Sequence, residues 1–329
     1  WEAIIDTAIE AEKPLQQLLA RLKPDVIVLD NVVVFPAIVN AGCPWVRMVS
    51  CAETELPDAA VPPYLSGCSS ADAAARERFV AHYQQAVAPA HARFSRFLAN
   101  SGSAPCPPGQ FLVDSPWLNL LLSPSPVRYL RQQPLDPQRY VYLDGCVRRE
   151  APYQVPHFPR HNDAPLIYVS FGSLGAADTA MIQRLIDTLQ TLPYRFLVNV
   201  GAYRETYATV PDNVYLDSWF PQPAVLKECQ LFIHHGGNNS FCEALFFGLP
   251  SVIIPYCWDG HDNALRAEEV GVGRYLPRFA EPLAALPEAI AQLLGDQAMA
   301  ARLAEVSAAM QASRGTEIAA RAILALPTP

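Results

Sequence analysis

Leu231-Phe232-Ile233-His234-His235-Gly236-Gly237-Asn238-Asn239-Ser240 decides the fold. Residues 231–235 read as a buried strand, the two glycines as a tight turn, and 239–247 as the helix that follows. A strand that enters a helix through a double glycine makes a cradle for an anion. Glycines let the backbone approach closely, the first helical N–H groups point outward, and the helix dipole favours negative charge. A second reading stays open, in which Asn239 or Ser240 merely caps the helix. His235 supports the cradle, since a bound diphosphate favours an imidazolium there. Glu243 lies one turn beyond Asn239 on the same helix face. Its carboxylate would repel phosphate but suits a diol, and phosphate followed by ribose is a nucleotide.

The rhythm extends outward from this turn. Strands are expected at 166–173, 195–201, 214–219, 251–256 and 274–276. Helices are expected at 178–192, 223–229 and 262–270, and Ala-rich helices close the chain. Strict alternation of this kind predicts a doubly wound α/β domain, whose ligands sit beyond the carboxyl ends of the strands. Those ends carry Phe171-Gly172-Ser173, Trp219-Phe220-Pro221-Gln222, the glycine turn, and Trp258-Asp259-Gly260-His261-Asp262-Asn263. Trp219 reads either as an aromatic plate for a base or as core packing. Asp259 and Asp262 with His235 and His261 are weak metal candidates, because no further His or Cys follows at ligand spacing. Sugar hydroxyls suit that polar loop better. No GxGxxG follows a strand, so no dinucleotide cofactor is expected.

The first half opens on an amphipathic helix stopped by Pro24. Asp25–Asp30 then reads as a fully buried strand, a helix-like run ends at Gly42, and residues 45–50 form a second strand. A long helix over about 71–100 carries an aromatic stripe of Phe79, Tyr83, Phe94 and Phe97, and further strands are expected near 118–122 and 140–143. Asp30, at a strand end, reads on its own as a helix cap or turn residue. A polar, proline-rich stretch over 150–165 reads as a linker.

Composition narrows the field. The chain of 329 residues has 24 Lys and Arg against 32 Asp and Glu, a net charge of −8 that argues against nucleic acid as a main partner. No apolar stretch is long enough to span a bilayer. Eight scattered cysteines without a CxxC pair read as reduced side chains and point to the cytoplasm. The opening residues carry no basic leader.

Taken together, Trp-x-Pro-Gln, His-x-Gly-x-Asn-Ser-x-x-Glu and Pro-x-x-x-Asp-x-x-x-Asn-Ala resemble the donor signature of family 1 glycosyltransferases, the inverting GT-B enzymes, most closely the bacterial macrolide and glycolipid members. The resemblance implies two Rossmann-like α/β domains facing a cleft. Residues 1–149 would be an incomplete acceptor domain, 150–165 the linker, 166–315 the nucleotide-sugar domain, and 316–329 a helical tail. It implies that Trp219 stacks on the base and Gln222 touches the ribose. His235, Gly237, Asn239 and Ser240 would bind the diphosphate and Glu243 the ribose diol, while Asp259 would hold the sugar and Ser173 line the cleft. No metal is implied, because the helix end and His235 take up the leaving-group charge. The donor would be a UDP- or dTDP-sugar. The acceptor would be a hydroxylated, hydrophobic small molecule or lipid, and peripheral membrane contact stays open.

Two departures stand out. The family usually has Gln after the sugar-binding Asp, where Gly260 stands here with His261 next, so a deoxysugar or rhamnose competes with glucose. The family's acceptor-deprotonating His follows the first strand, and an Asp matching Asp30 orients it. No such His precedes Asp30 here, and an upstream segment is expected to supply it. Two alternatives remain: a catalytically silent nucleotide-binding partner of another enzyme, and a GT-B epimerase or hydrolase of the nucleotide sugar.

Overall fold

The computed structural model describes residues 1–278 and 282–327. Two parallel sheets carry the molecule. The first contains β1 (Ile27–Leu29), β2 (Trp45–Val49), β3 (Leu118–Leu121) and β4 (Tyr140–Tyr142), side by side in chain order. The second contains β5 (Leu166–Ser170), β6 (Arg195–Asn199), β7 (Val214–Asp217), β8 (Leu231–His234), β9 (Ser251–Ile253) and β10 (Gly273–Tyr275). Its order is β10-β9-β8-β5-β6-β7, with every neighbouring pair parallel. The winding therefore reverses between β5 and β8, which is where open α/β sheets place their ligands.

A parallel sheet covered on both faces needs apolar residues on both. Ile167, Val169 and Ile233 enter the core on one side, while Leu166, Tyr168 and Phe232 enter the core on the other. Helix Thr179–Leu189 covers the first of these faces and is capped by Asp178, which accepts from the Met181 amide. Linker residue Phe158 is buried against the opposite face, so 150–165 has no regular structure yet is packed.

In the first domain, helix Glu2–Leu22 ends at Lys23, whose φ of 46° is left-handed, immediately before Pro24. It shares a core with the long helix Ala73–Asn100, which supplies Val87, Ala90, Phe94 and Leu98. Complete burial of Phe94 contributes about 1.5–3 kcal/mol. The aromatic stripe thus divides: Phe94 packs inward, and Phe79 and Tyr83 line a cavity. The last helix, Gly315–Leu324, returns to the first sheet, where Ala319, Ala322 and Ile323 meet Val46, Leu118 and Leu120.

Several expectations need correction. The strand expected over 25–30 is only Ile27–Leu29, and it is an edge strand with Val28 47% exposed, not a fully buried one. The helix-like run ending at Gly42 shrinks to Pro36–Val39, because the β-branched run Val32–Val34 before it disfavours helix. The first strand of the second domain stops at Ser170, and Gly172 (φ 67°) turns the chain.

Candidate active site

The loops after β5 and β8 meet at the reversal. Gly236 has φ 85°, and a Cβ there would lie 2.5 Å from the Gly260 carbonyl oxygen. A Cβ on Gly237 would lie 2.3 Å from His235 Cε1, so the imidazole folds over that glycine. The Gly237 N–H donates to His235 Nδ1 at 3.2 Å, which leaves the ring proton on Nε2. A Cβ on Gly172 would lie 3.0 Å from Nε2, so this edge faces the β5 loop. Burial pushes the His235 pKa below its ordinary value. The imidazole is therefore neutral in the free protein and offers an N–H donor; the imidazolium expected from the sequence requires the diphosphate to be present.

The helix itself is Asn238–Phe246, one residue earlier than expected, with Gly237 at the cap position and no side-chain cap. Neither Asn239 nor Ser240 caps it. Asn238 N–H donates to Asp259 Oδ2 at 2.8 Å, and the Asn239 and Ser240 amides meet no acceptor among the described residues. Unpaired donors at a helix N-terminus are what an anion needs.

One turn on, Glu243 is buried and accepts from Gln222 Nε2 at 2.7 Å, and the same amide lies 3.3 Å from Ser240 Oγ. Burial raises the Glu243 pKa, opposed by the Gln222 hydrogen bond and by Arg148, whose guanidinium lies 3.4 Å away. Three residues expected at the ribose and phosphate thus form one cluster. Trp219 is 64% exposed beside it, so its ring is not core packing and its face is free. Ser173 is exposed on the turn Gly172–Gly175 at the cleft, and Asn239 is exposed at the seam with the first domain.

Asp259 faces the same cradle, and burial pushes its pKa up to about 6. Gly260 explains its own departure from the family pattern. It is buried, and a Cβ there would lie 2.5 Å from the His235 carbonyl oxygen, so this turn has no room for a longer residue. His261 packs against the first-domain loop at Gly67, its Cβ 3.0 Å from where a Gly67 Cβ would stand.

Asp30, on the first domain, accepts from Ser50 Oγ at 2.6 Å, and Asn238 Nδ2 donates to the Ser50 carbonyl at 3.0 Å. Asp30 is thereby linked to the helix that forms the cradle. Next to this seam a cavity of about 300 Å³ opens in the first domain, with Val61, Phe79, Tyr83, Phe111 and Leu112 among its walls. Sequence reasoning missed Asn238, Arg148 and the use of Asp262. Asp262 accepts from Thr54 Oγ1 at 2.7 Å and from the Leu65 and Gly67 amides at 2.8 Å each. Its position three residues after Asp259, on the same helix face, was the only local signal.

Residues 183–325 match the family described as "Erythromycin biosynthesis protein CIII-like, C-terminal domain". The chain is 31% identical to NDP-glycosyltransferase YjiC of Bacillus subtilis (strain 168) over 49% of its own length and 42% of that protein. It is 27% identical to the oleandomycin glycosyltransferase of Streptomyces antibioticus over 70% of its length and 53% of the relative. The chain thus spans about half the length of these curated relatives. The crystal structure of the kitacinnamycin glycotransferase superimposes with a TM-score of 0.72 over 97% of this chain and 81% of that one, at 21% identity. The architecture is GT-B. The chain thus shares the fold of these solved structures, and the similarity to the family concentrates in residues 183–325, which include the glycine turn and Asp259.

Proposed function

We propose that the protein transfers a sugar from a UDP- or dTDP-sugar to a hydroxyl of a hydrophobic acceptor, with inversion and without a metal. One observation carries the reading. At the reversal of the second sheet, unpaired helix amides, the His235 Nε2 donor and the Gln222–Ser240–Glu243 cluster adjoin in the order diphosphate and then ribose. Trp219 offers its exposed face to the base. The acceptor enters through the apolar cavity of the first domain.

The acceptor oxygen attacks the anomeric carbon in line as the bond from that carbon to the diphosphate oxygen breaks. The acceptor's proton passes to a base that Asp30 orients. The electron pair leaves on the diphosphate, where the helix amides and His235 stabilise the charge a metal would otherwise balance. Incubating the protein with UDP- and dTDP-sugars and a hydroxylated apolar acceptor should release nucleoside diphosphate only when the acceptor is present. Nucleotide binding without acceptor-dependent release would favour the silent-partner reading, and a changed or hydrolysed sugar without acceptor would favour the epimerase or hydrolase.

Two further results are expected. Trp219→Ala should weaken nucleoside diphosphate binding by about 1–3 kcal/mol in a calorimetric titration, the range for a base stacked on an aromatic ring. Asp259 loses its charge as pH falls from 7 to 5, since it titrates near 6. The preference for nucleotide sugar over nucleoside diphosphate should therefore shrink across that interval and become flat with pH in Asp259→Asn.

A further inference from the structure

Tyr64 stands at the junction of the acceptor cavity and the donor cradle. Its ring lines the cavity, and its hydroxyl is buried without a hydrogen bond of ordinary geometry. A buried O–H in that state needs an explanation, because such groups are almost always paired. Its polar neighbours are the Cys51 thiol and the carboxylates of Glu55 and Asp259. Burial and these groups raise its pKa, so the hydroxyl keeps its proton and is a donor seeking an acceptor.

The loop that carries Tyr64 is held from across the cleft. Leu65 adopts φ 67°, a left-handed conformation uncommon for a side chain of its kind. Its amide, the Gly67 amide and the Thr54 hydroxyl all donate to the Asp262 carboxylate. Asp262 belongs to the helix Gly260–Glu269, and two turns further along it Glu269 accepts from Ser69 Oγ and the Ser70 amide. Trp258, beside Asp259, is likewise left-handed at φ 52°. Non-glycine residues held in this sparsely populated backbone region cluster at functional sites. Asp259 and Asp262 lie one helical turn apart, so a single turn of the second domain fixes both the sugar-side carboxylate and the loop that brings Tyr64 to it.

We propose that Tyr64 is a specificity-determining residue whose hydroxyl donates a hydrogen bond to an oxygen of the transferred sugar, opposite Asp259, and that Asp262 is the positioning residue that holds it there. This rests on the nucleotide-sugar reading above and adds to it a sugar contact from the acceptor domain.

The test compares the affinities of UDP-glucose and dTDP-glucose with those of UDP and dTDP, for the wild type, Tyr64→Phe, Asp262→Asn and the double variant. The whole chain is used throughout. Tyr64→Phe should weaken the sugar nucleotide that binds best by about tenfold and leave the matching nucleoside diphosphate within twofold. Asp262→Asn should reproduce that selective loss, and the double variant should add little to it. A Tyr64→Phe variant that keeps the wild-type advantage of sugar nucleotide over nucleoside diphosphate overturns the proposal while leaving the nucleotide-sugar reading intact. So does one that weakens both ligands equally. A wild type that binds none of the four ligands overturns both.

Discussion

His235→Ala is expected to lower turnover by about 10²–10³, or about 2.7–4 kcal/mol of barrier, the effect of removing one donor aimed at developing charge. The Nε2–H of His235 faces the β5 loop at the sheet reversal, and Nδ1 is occupied by the Gly237 amide. The ring therefore has one free donor and a fixed direction. The loss should fall mainly on kcat, because the Asn239 and Ser240 amides still bind the diphosphate in the ground state. Acceptor-dependent release of nucleoside diphosphate measures it. A variant with unchanged kcat and a raised KM would assign His235 to binding alone.

The largest stability effect is expected at Arg47. This residue sits on β2, is 4% exposed, and pairs with Glu55 at 2.8 Å and with Asp114. Glu55 is itself 6% exposed and also accepts from the Cys51 amide, so the pair anchors the segment that carries Thr54 to the donor domain. Arg47→Met leaves Glu55 buried without its cation and should cost about 3–5 kcal/mol of unfolding free energy at pH 7. Burial already holds the Glu55 pKa above its ordinary value, and loss of Arg47 removes the main opposing influence. Protonation then relieves the unpaired charge, so the deficit should shrink as pH falls. Denaturant unfolding at pH 7 and pH 5 measures both effects. Adding Glu55→Gln to Arg47→Met should recover part of the loss at pH 7, and a deficit independent of pH would contradict this account.

Much of the second domain was legible because its strands are buried on both faces and read as unbroken apolar runs. The glycine turn was legible because only glycine fits where Gly236 crosses the Gly260 carbonyl. Trp219 stayed ambiguous, since exposure depends on what surrounds a strand end and not on the strand. The bonds from Asp262 to Thr54, Leu65 and Gly67 span 208, 197 and 195 positions of sequence, so no local pattern could signal them. Asp262 looked like one of several polar loop residues, and its use appears only once the two domains meet. The same holds for Asn238, whose amide group donates to the Ser50 and Leu122 carbonyls of the first domain. Asp25–Asp30 was misread because an apolar run indicates a strand but does not indicate whether a neighbour covers both of its sides.

A nucleoside diphosphate is expected to bind with its phosphates on the turn between β8 and the helix Asn238–Phe246. A crystal structure of the protein with UDP or dTDP tests it most directly. Phosphate oxygens within about 2.7–3.2 Å of the Asn239 and Ser240 amides and of His235 Nε2, with the base over Trp219, are the expected result. A nucleotide bound elsewhere, with these amides left to solvent, would contradict it.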